Sequence, residues 1–464
     1  MKKWAWILGI VFLGVALLAG CQTSTGAQAG ETTVQGTLLD PCGQPVAYKT
    51  VLVPGHDPVL TGSDGSFAIE GVAPPYDLVV VGASLDGFRV YTPMVYYQGL
   101  NDTEPTLTIM PAGFDEGGCA NVSVSGAVGP TEQSDEYLNG VAVAVGPYLY
   151  GSEFVYDEDY ELSLGFDPAL EGENNATIVA LQWQRDLTTG SAVAYTGAVR
   201  ETLTLADGDN LTHDLTVTEI GTGSLNVSAS YPDVYTNARA RQVPALDGTS
   251  LPFGASFAAV DSGGSVALAA PADNSLGLGS YAVLQAMYGG LAGGEYASVS
   301  PDDLDGIDGE VVAWQRAAGN EVALELPDPV VPITPLNGAT INPAEQSFSW
   351  VGPEGATYVV QLNFEGTIGV EIVTKETSIE LPDLTSLGVD FGSYDYGYWM
   401  LFAYSQDGVD PGADALVGGI GDLPDAVRKM MMPNGSDYGS ESGYRFMVYA
   451  GQFSAAGYNP FTIH

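Results

Sequence analysis

Beyond about residue 32 the chain alternates. Short runs rich in Val, Thr, Leu and Tyr set apolar side chains at every second position, and Gly, Pro, Asn and Asp interrupt these runs at close intervals. A period of two places the apolar set on one face of an extended segment, which is the pattern of a half-buried strand and not of a helix. In TGSDGSFAIEG, Asp64-Gly65 reads as a hairpin turn and Phe67 and Ile69 alternate inward after it. Pro74-Pro75 then bars the following residues from a helix. Further on, Tyr398, Met400 and Phe402 fall on one face of a strand and Trp399, Leu401 and Ala403 on the other. The pattern predicts an all-β protein of tandem β-sandwiches. One segment departs from it. Pro424 to Met432 reads as a short helix, capped by Asp422 and stopped by Pro433, within a connection from Gln406 to Glu441 that is far longer than a hairpin loop.

Composition sharpens this reading. The 60 Gly and 28 Pro argue against a helical bundle, and 45% hydrophobic residues are enough for packed cores and against a disordered chain. At 464 residues, length alone suggests about three domains of roughly 150 residues. The pattern divides the chain more finely, into units at 32–112, 119–219, 220–326 and 327–464. With 13 Lys+Arg against 57 Asp+Glu, the net charge of -44 repels a phosphate backbone and argues against nucleic acid as a partner. From Val90 to Gln184 there are 15 acidic residues and no basic one, a field that attracts cations or a basic partner, or is simply an acidic surface.

The N-terminus carries an address. Lys2 and Lys3 precede an apolar run from Trp4 to Leu18, too short for a comfortable membrane span of about 20 residues. The run ends in Leu18-Ala19-Gly20-Cys21, which resembles the lipobox of bacterial lipoproteins. That resemblance implies a signal peptide over 1–20, cleavage before Cys21, and lipid on its thiol and new amine. It places the mature chain in the bacterial cell envelope, extracytoplasmic and held to the membrane by its lipid anchor. Residues 21–31, small and polar after the cysteine, suit a flexible tether. In such an oxidising compartment Cys42 and Cys119, each flanked by turn residues, suggest a disulfide that contributes about 4 to 5 kcal/mol if unstrained; the alternative is two free thiols. Their spacing excludes a CxxC redox or zinc site.

Two segments carry further resemblances. VQGTLLDPCGQPVAYKTVLV with TGSDGSFAIEGVAPPYDLVVV is similar to the carboxypeptidase regulatory-like (prealbumin-like) sandwich, through Val34, Gly36, Asp40, Gly43, Pro45, Asp64-Gly65-Ser66-Phe67 and Tyr76. Pro75 departs from that family, which usually has Gly there. Past the stiff connector Asp328 to Pro335, PLNGATINPAEQSFSWVGPEGATYVVQLNF resembles the start of a fibronectin type III-like or related immunoglobulin-like domain. The resemblance implies that Trp350 is the buried aromatic of its second strand, Tyr358 a core residue of the third, and Ser442 to Ala450 the last strand. Between these segments NVSVS (Asn121 to Ser125) returns as NVSAS (Asn226 to Ser230), and LQWQR (Leu181 to Arg185) as VAWQR (Val312 to Arg316), at spacings of 105 and 131 residues. Either the middle units are related, the second with about 26 extra residues, or short β-sequences coincide by chance.

The catalytic inventory is thin. His56, His213 and His464 have no second His or Cys nearby, so a zinc site or a His-based triad lacks its ligands, and no G-x-S-x-G elbow or P-loop occurs. Gly277 to Ala282 mimics a dinucleotide fingerprint but runs into the strand pattern of Tyr281 to Tyr288, outside any βαβ unit. Asp302, Asp303, Asp305, Asp308 and Glu310 lie within nine residues; such a run suits calcium, though not at EF-hand spacing, or forms a solvated acidic loop. Arg428 and Lys429 beside Met430, Met431 and Met432 make the helix of the long connection a candidate protein contact, or a cap on its own sandwich. Two functions fit: a structural or adhesive protein without catalysis, its sandwiches as spacers and its last domain as the contact module, or a carbohydrate-binding accessory protein of a glycan-active system. An exposed planar row of aromatics would mark the second.

Overall fold

The computed structural model describes residues 30–455 except 41–43, 82–83, 87–88, 110–120, 130–133, 146–147, 156–157, 166–173, 207, 247–248, 273–275, 289–307, 336–338, 342–346, 365–367, 382–395 and 407–441. The described residues form strands, turns and loops, with no helix among them, so the protein is all-β as its alternation predicts.

The first sandwich begins with β1 (Thr32–Leu39), β2 (Thr50–Leu52), β3 (Val59–Leu60) and β4 (Ser66–Val72). It continues with β5 (Tyr76–Val81), β6 (Ser84–Asp86), β7 (Arg89–Leu100) and β8 (Thr106–Thr108). A three-stranded sheet β4-β1-β8, with β1 antiparallel to β4 and parallel to β8, faces the row β3-β2-β5-β7. Phe67 and Ile69 are buried as their alternation requires, with Val34 and Leu38 from β1 and Leu78 and Val80 from the facing row. The Asp64-Gly65 turn exists, with Gly65 at φ +74° and the Asp64 carboxylate accepting from Ser66 N and Oγ at 3.1 and 2.6 Å. It does not close a hairpin, however. Strand β3 pairs with β2 and β4 with β1, so the turn carries the chain from one sheet to the other.

The same strand order returns twice. The second sandwich opens with β9 (Asn121–Gly129), β10 (Tyr137–Val145), β11 (Tyr148–Val155), β12 (Asp159–Gly165) and β13 (Asn174–Arg185). It ends with β14 (Ala192–Leu205), β15 (Asn210–Thr212), β16 (Leu215–Thr216) and β17 (Thr218–Glu219). Sheet β12-β9-β15 packs on β11-β10-β13-β14-β17, and β9 is again antiparallel to one neighbour and parallel to the other. The third sandwich has β18 (Thr222–Ser230), β19 (Thr236–Leu246), β20 (Thr249–Ser250) and β21 (Ser256–Ala259). Then come β22 (Ser265–Pro271), β23 (Leu278–Tyr288), β24 (Asp308–Arg316) and β25 (Glu321–Glu325). Its small sheet is β22-β18-β25, facing β20-β19-β23-β24.

NVSVS and NVSAS therefore occupy equivalent central strands, β9 and β18, with Val122 and Val124 buried in one and Val227 and Ala229 in the other. LQWQR and VAWQR do not correspond. The first lies on β13, third in its row, and the second on β24, fourth in its row. The unequal spacing thus reflects different strands, not an insertion of 26 residues. Two buried strands of similar composition produced the echo.

The fourth sandwich differs. It comprises β26 (Val331–Thr334), β27 (Ala339–Ile341), β28 (Ser347–Val351), β29 (Thr357–Phe364), β30 (Ile368–Thr374), β31 (Ser378–Glu380), β32 (Tyr396–Gln406) and β33 (Ser442–Ala455). The sheet β26-β28-β31 is wholly antiparallel and covers β30-β29-β32-β33, while β27 adds parallel to β33. Trp350, Tyr358, Trp399, Leu401 and Ala403 are buried in its core, on the faces that the alternation assigns them.

Glycine abundance has a packing cause. A Cβ at Gly36 would stand 2.3 Å from the ring of Phe67, its cross-strand partner. Likewise one at Gly309 would stand 2.3 Å from Tyr288, and one at Gly443 2.7 Å from Trp314. At each pair a ring lies flat over bare backbone, which only glycine allows.

Candidate functional site

Most of the residues singled out by sequence lie outside the described residues: Cys21, Cys42, Cys119, Asp302, Asp303, Asp305, Arg428, Lys429, Met430, Met431 and Met432, and with them the helix expected over Pro424 to Met432. Asp308 and Glu310 open β24, and the Glu310 carboxylate accepts a 2.6 Å hydrogen bond from Gln285 Nε2 on β23. No cluster of three His, Cys, Asp or Glu that would hold a metal occurs among the described residues.

One polar constellation resembles catalytic parts. His213 Nε2 lies 2.7 Å from Glu201 Oε2, and the Tyr160 hydroxyl donates to the His213 carbonyl at 2.5 Å. Burial pushes the Tyr160 phenol up to about 12, with Asp214 and Glu201 adding to it. Asp214 in turn accepts from Ala127 N at 3.0 Å. A His–carboxylate pair needs a nucleophile on the other ring nitrogen to act as a triad. Among the described residues the imidazole has no hydrogen-bond partner besides Glu201, so the pair ties the β15–β16 turn to β14.

The larger features are the junctions between sandwiches. Second and third meet at a stack: Trp183 on β13 lies against Phe253, centroids 5.7 Å apart and planes 4° apart, and Phe154 stands edge-on to both. Beside it the buried Tyr195 hydroxyl reaches Gln242 Oε1 at 2.6 Å and the Gly254 carbonyl, and Gln242 Nε2 donates to Ser280 Oγ at 2.9 Å. Backbone bonds cross as well, from Ala192 N to Ala255 O and from Tyr195 N to Thr222 Oγ1.

Two further junctions are sheet pairings. Strand β24 of the third sandwich runs antiparallel to β33 of the fourth, from Asp308↔Tyr449 to Gln315↔Ser442. Strand β30 of the fourth runs parallel to β7 of the first, from Ile368↔Thr92 to Val373↔Tyr97. One 15-stranded sheet thus spans three sandwiches. At the β7–β30 seam Thr374 Oγ1 donates to Gln98 Oε1 at 2.7 Å across 276 residues of chain. Burial pushes the Glu371 carboxyl up, while a hydrogen bond from Gln361 opposes the shift, and Glu371 in turn raises the buried Tyr97. Sequence reasoning missed these residues because nothing local distinguishes an edge strand that pairs with a distant unit from one that does not.

The aromatics decide between surface chemistries. Two of the six tryptophans, Trp4 and Trp6, lie outside the described residues; the other four, Trp183, Trp314, Trp350 and Trp399, are all buried. Tyr48, 73% exposed, and Phe154, 42% exposed, lie in different sandwiches, so the exposed aromatics among the described residues form no row.

No family model and no curated protein matches the chain. Among solved structures it is similar to the Bacillus anthracis TIE protein, at 8% identity and TM-score 0.15, over 55% of this chain and 45% of that one. It is similar to an adhesin-like protein of Bacteroides ovatus at 9% and 0.16, over 44% and 89%. A streptococcal ancillary pilin stands at 8% and 0.15, over 54% and 89%. At those scores the likeness carries nothing about function.

Proposed function

We propose that the chain is a lipid-anchored, extracytoplasmic structural or adhesive protein of the bacterial cell envelope that works without catalysis. The observation that carries this reading is the 15-stranded sheet, which passes unbroken through three sandwiches. Backbone pairing across unit boundaries resists the hinge motion expected of loosely linked domains, and rigidity is what a spacer or a presented contact surface requires. The leader ending in Leu18-Ala19-Gly20-Cys21 supports the anchor. In the same reading the units are those drawn at 32–112, 119–219, 220–326 and 327–464, the first carboxypeptidase regulatory-like and the last fibronectin type III-like. The buried tryptophans weigh against a glycan platform, because sugar rings stack on exposed aromatic faces.

Replacing Cys21 by serine tests the anchor. The variant is expected to remain as unprocessed precursor or to appear in the soluble fraction, without labelled fatty acid. Continued acylation and membrane partitioning would refute the lipoprotein reading.

A further inference from the structure

We propose that the β7–β30 seam is an exchangeable clasp that also forms between two copies of this chain, β7 of one pairing with β30 of the other. The inference stands on the fold and does not depend on the lipid anchor. Among the described strand pairings this seam alone joins β1–β8 to any later strand, and Leu52, Val79 and Tyr96 pack beside it into the core of the later sandwiches, so freeing the first sandwich as a body breaks six residue pairs and uncovers those three side chains. Both strands are then bare sheet edges. Each carries a row of unpaired N–H and C=O groups, the template from which strands add to one another. The two edges complement each other, since they already pair within one chain, and the same contacts form between copies without loss: the register Ile368↔Thr92 to Val373↔Tyr97, and Thr374 on Gln98. Exchange of an identical element is a low-cost route to assembly.

The seam also contains its own weak point. Glu371 lies opposite Val95, beside Gln361 and near the Tyr97 phenol, where desolvation opposes its charge. A carboxylate held in a β-pairing that could have been apolar makes the closed clasp less stable and its opening more frequent. Because the β7 and β30 edges are different surfaces, reciprocal exchange closes a two-fold dimer, whereas one-way exchange propagates copies head to tail.

Cysteines at the touching pair report which copy supplies each strand. Full-length Gln98→Cys and Thr374→Cys chains are purified separately in mild detergent, mixed, incubated and mildly oxidised. The expected product is a disulfide-linked pair containing one of each, well above the level given by either variant alone. A chain carrying both substitutions is expected to close its bond internally as well. If that double variant closes internally while the mixture yields no mixed pair, the clasp works only within one chain and the proposal fails. If the double variant forms no bond either, the seam itself is absent and the proposal fails with it. Glu371→Gln keeps the shape and removes the charge, and is expected to slow the appearance of the mixed pair by about threefold or more. Unchanged or faster exchange would overturn the role assigned to Glu371.

Discussion

Adding one methyl group at Gly140 should loosen the second sandwich from the third. Gly140 lies mid-strand in β10, and the ring of Phe253 sits directly on its backbone: a Cβ built there would be 2.5 Å from Phe253 Cγ and 2.6 and 2.7 Å from the two Cδ atoms. Ordinary carbon contacts begin near 3.4 Å, so the ring must retreat by about 1 Å. It has no room to do so, because its other neighbours are the stacked Trp183 and the edge of Phe154. Overpacking of this kind costs about 1–3 kcal/mol. For a cooperative unit of 150–250 residues that is a fall in Tm of about 2–12 °C. Phe253→Ala alone, removing a ring only 2% exposed, should cost about 3–5 kcal/mol. In that background the Gly140 methyl meets empty space, and its cost should shrink below about 0.5 kcal/mol. Denaturant titration of the four proteins, followed by the fluorescence of the buried tryptophans, gives the coupling directly. If Gly140→Ala costs the same with and without the Phe253 ring, or costs nothing in the parent, the junction is not packed as described.

Three other outcomes are expected. Trp350 is buried, and its indole Nε1 has no partner among the described residues, so Trp350→Phe sheds an unsatisfied donor along with some area; stability should stay within about 1 kcal/mol of the parent, and a loss above about 3 kcal/mol would show that the donor is bonded. The raised Glu371 favours the seam when protonated: its contribution is complete below the ordinary value of 4.5 and is lost as pH rises through the higher folded value. Amides of β7 should therefore be better protected from hydrogen exchange on acidification toward that range, after correction for intrinsic rates, and the effect should vanish in Glu371→Gln; weaker protection at lower pH would contradict it. Finally, alkylation of the denatured, unreduced mature chain should find neither Cys42 nor Cys119 free, whereas two reactive thiols would exclude the bridge.

How much of this was legible in the sequence depends on the range of the interaction. Alternation within a strand is local, and so the inward faces of β4 and β32 could be read from Phe67, Ile69, Trp399 and Leu401 alone. Pairing partners are not local. Asp64-Gly65 has the chemistry of a hairpin turn, yet its flanking strands join different sheets, because β1 and β2 compete for them across the sandwich. LQWQR and VAWQR are alike because each has a tryptophan two places before an arginine on a strand whose tryptophan is buried, which says nothing of the strand's place in its row. Phe253, between Pro252 and Gly254, reads as a loop residue. Only the arrival of Gly140 and Trp183 from more than 69 residues away makes it the centre of a junction.

The order of sandwiches in space also differs from their order in the chain. Second packs on third, third is paired with fourth through β24 and β33, and fourth with first through β30 and β7. The chain therefore turns back, and its last sandwich lies against its first. With the tether ahead of β1 holding the first sandwich at a membrane, as proposed, the fourth is the sandwich bound to the anchored one, and the second is farthest along the series of contacts. The contact module expected at the C-terminus would then sit nearest the anchor as long as the clasp is closed. Opening the seam leaves the first sandwich on its tether and releases the other three together, since the stack at Phe253 and the β24–β33 pairing hold them as one body. In that proposal the six-pair seam, with the packing of Leu52, Val79 and Tyr96 beside it, sets how far the fourth sandwich reaches from its anchor: closed it is the rigid spacer, and the charge on Glu371 biases it toward opening.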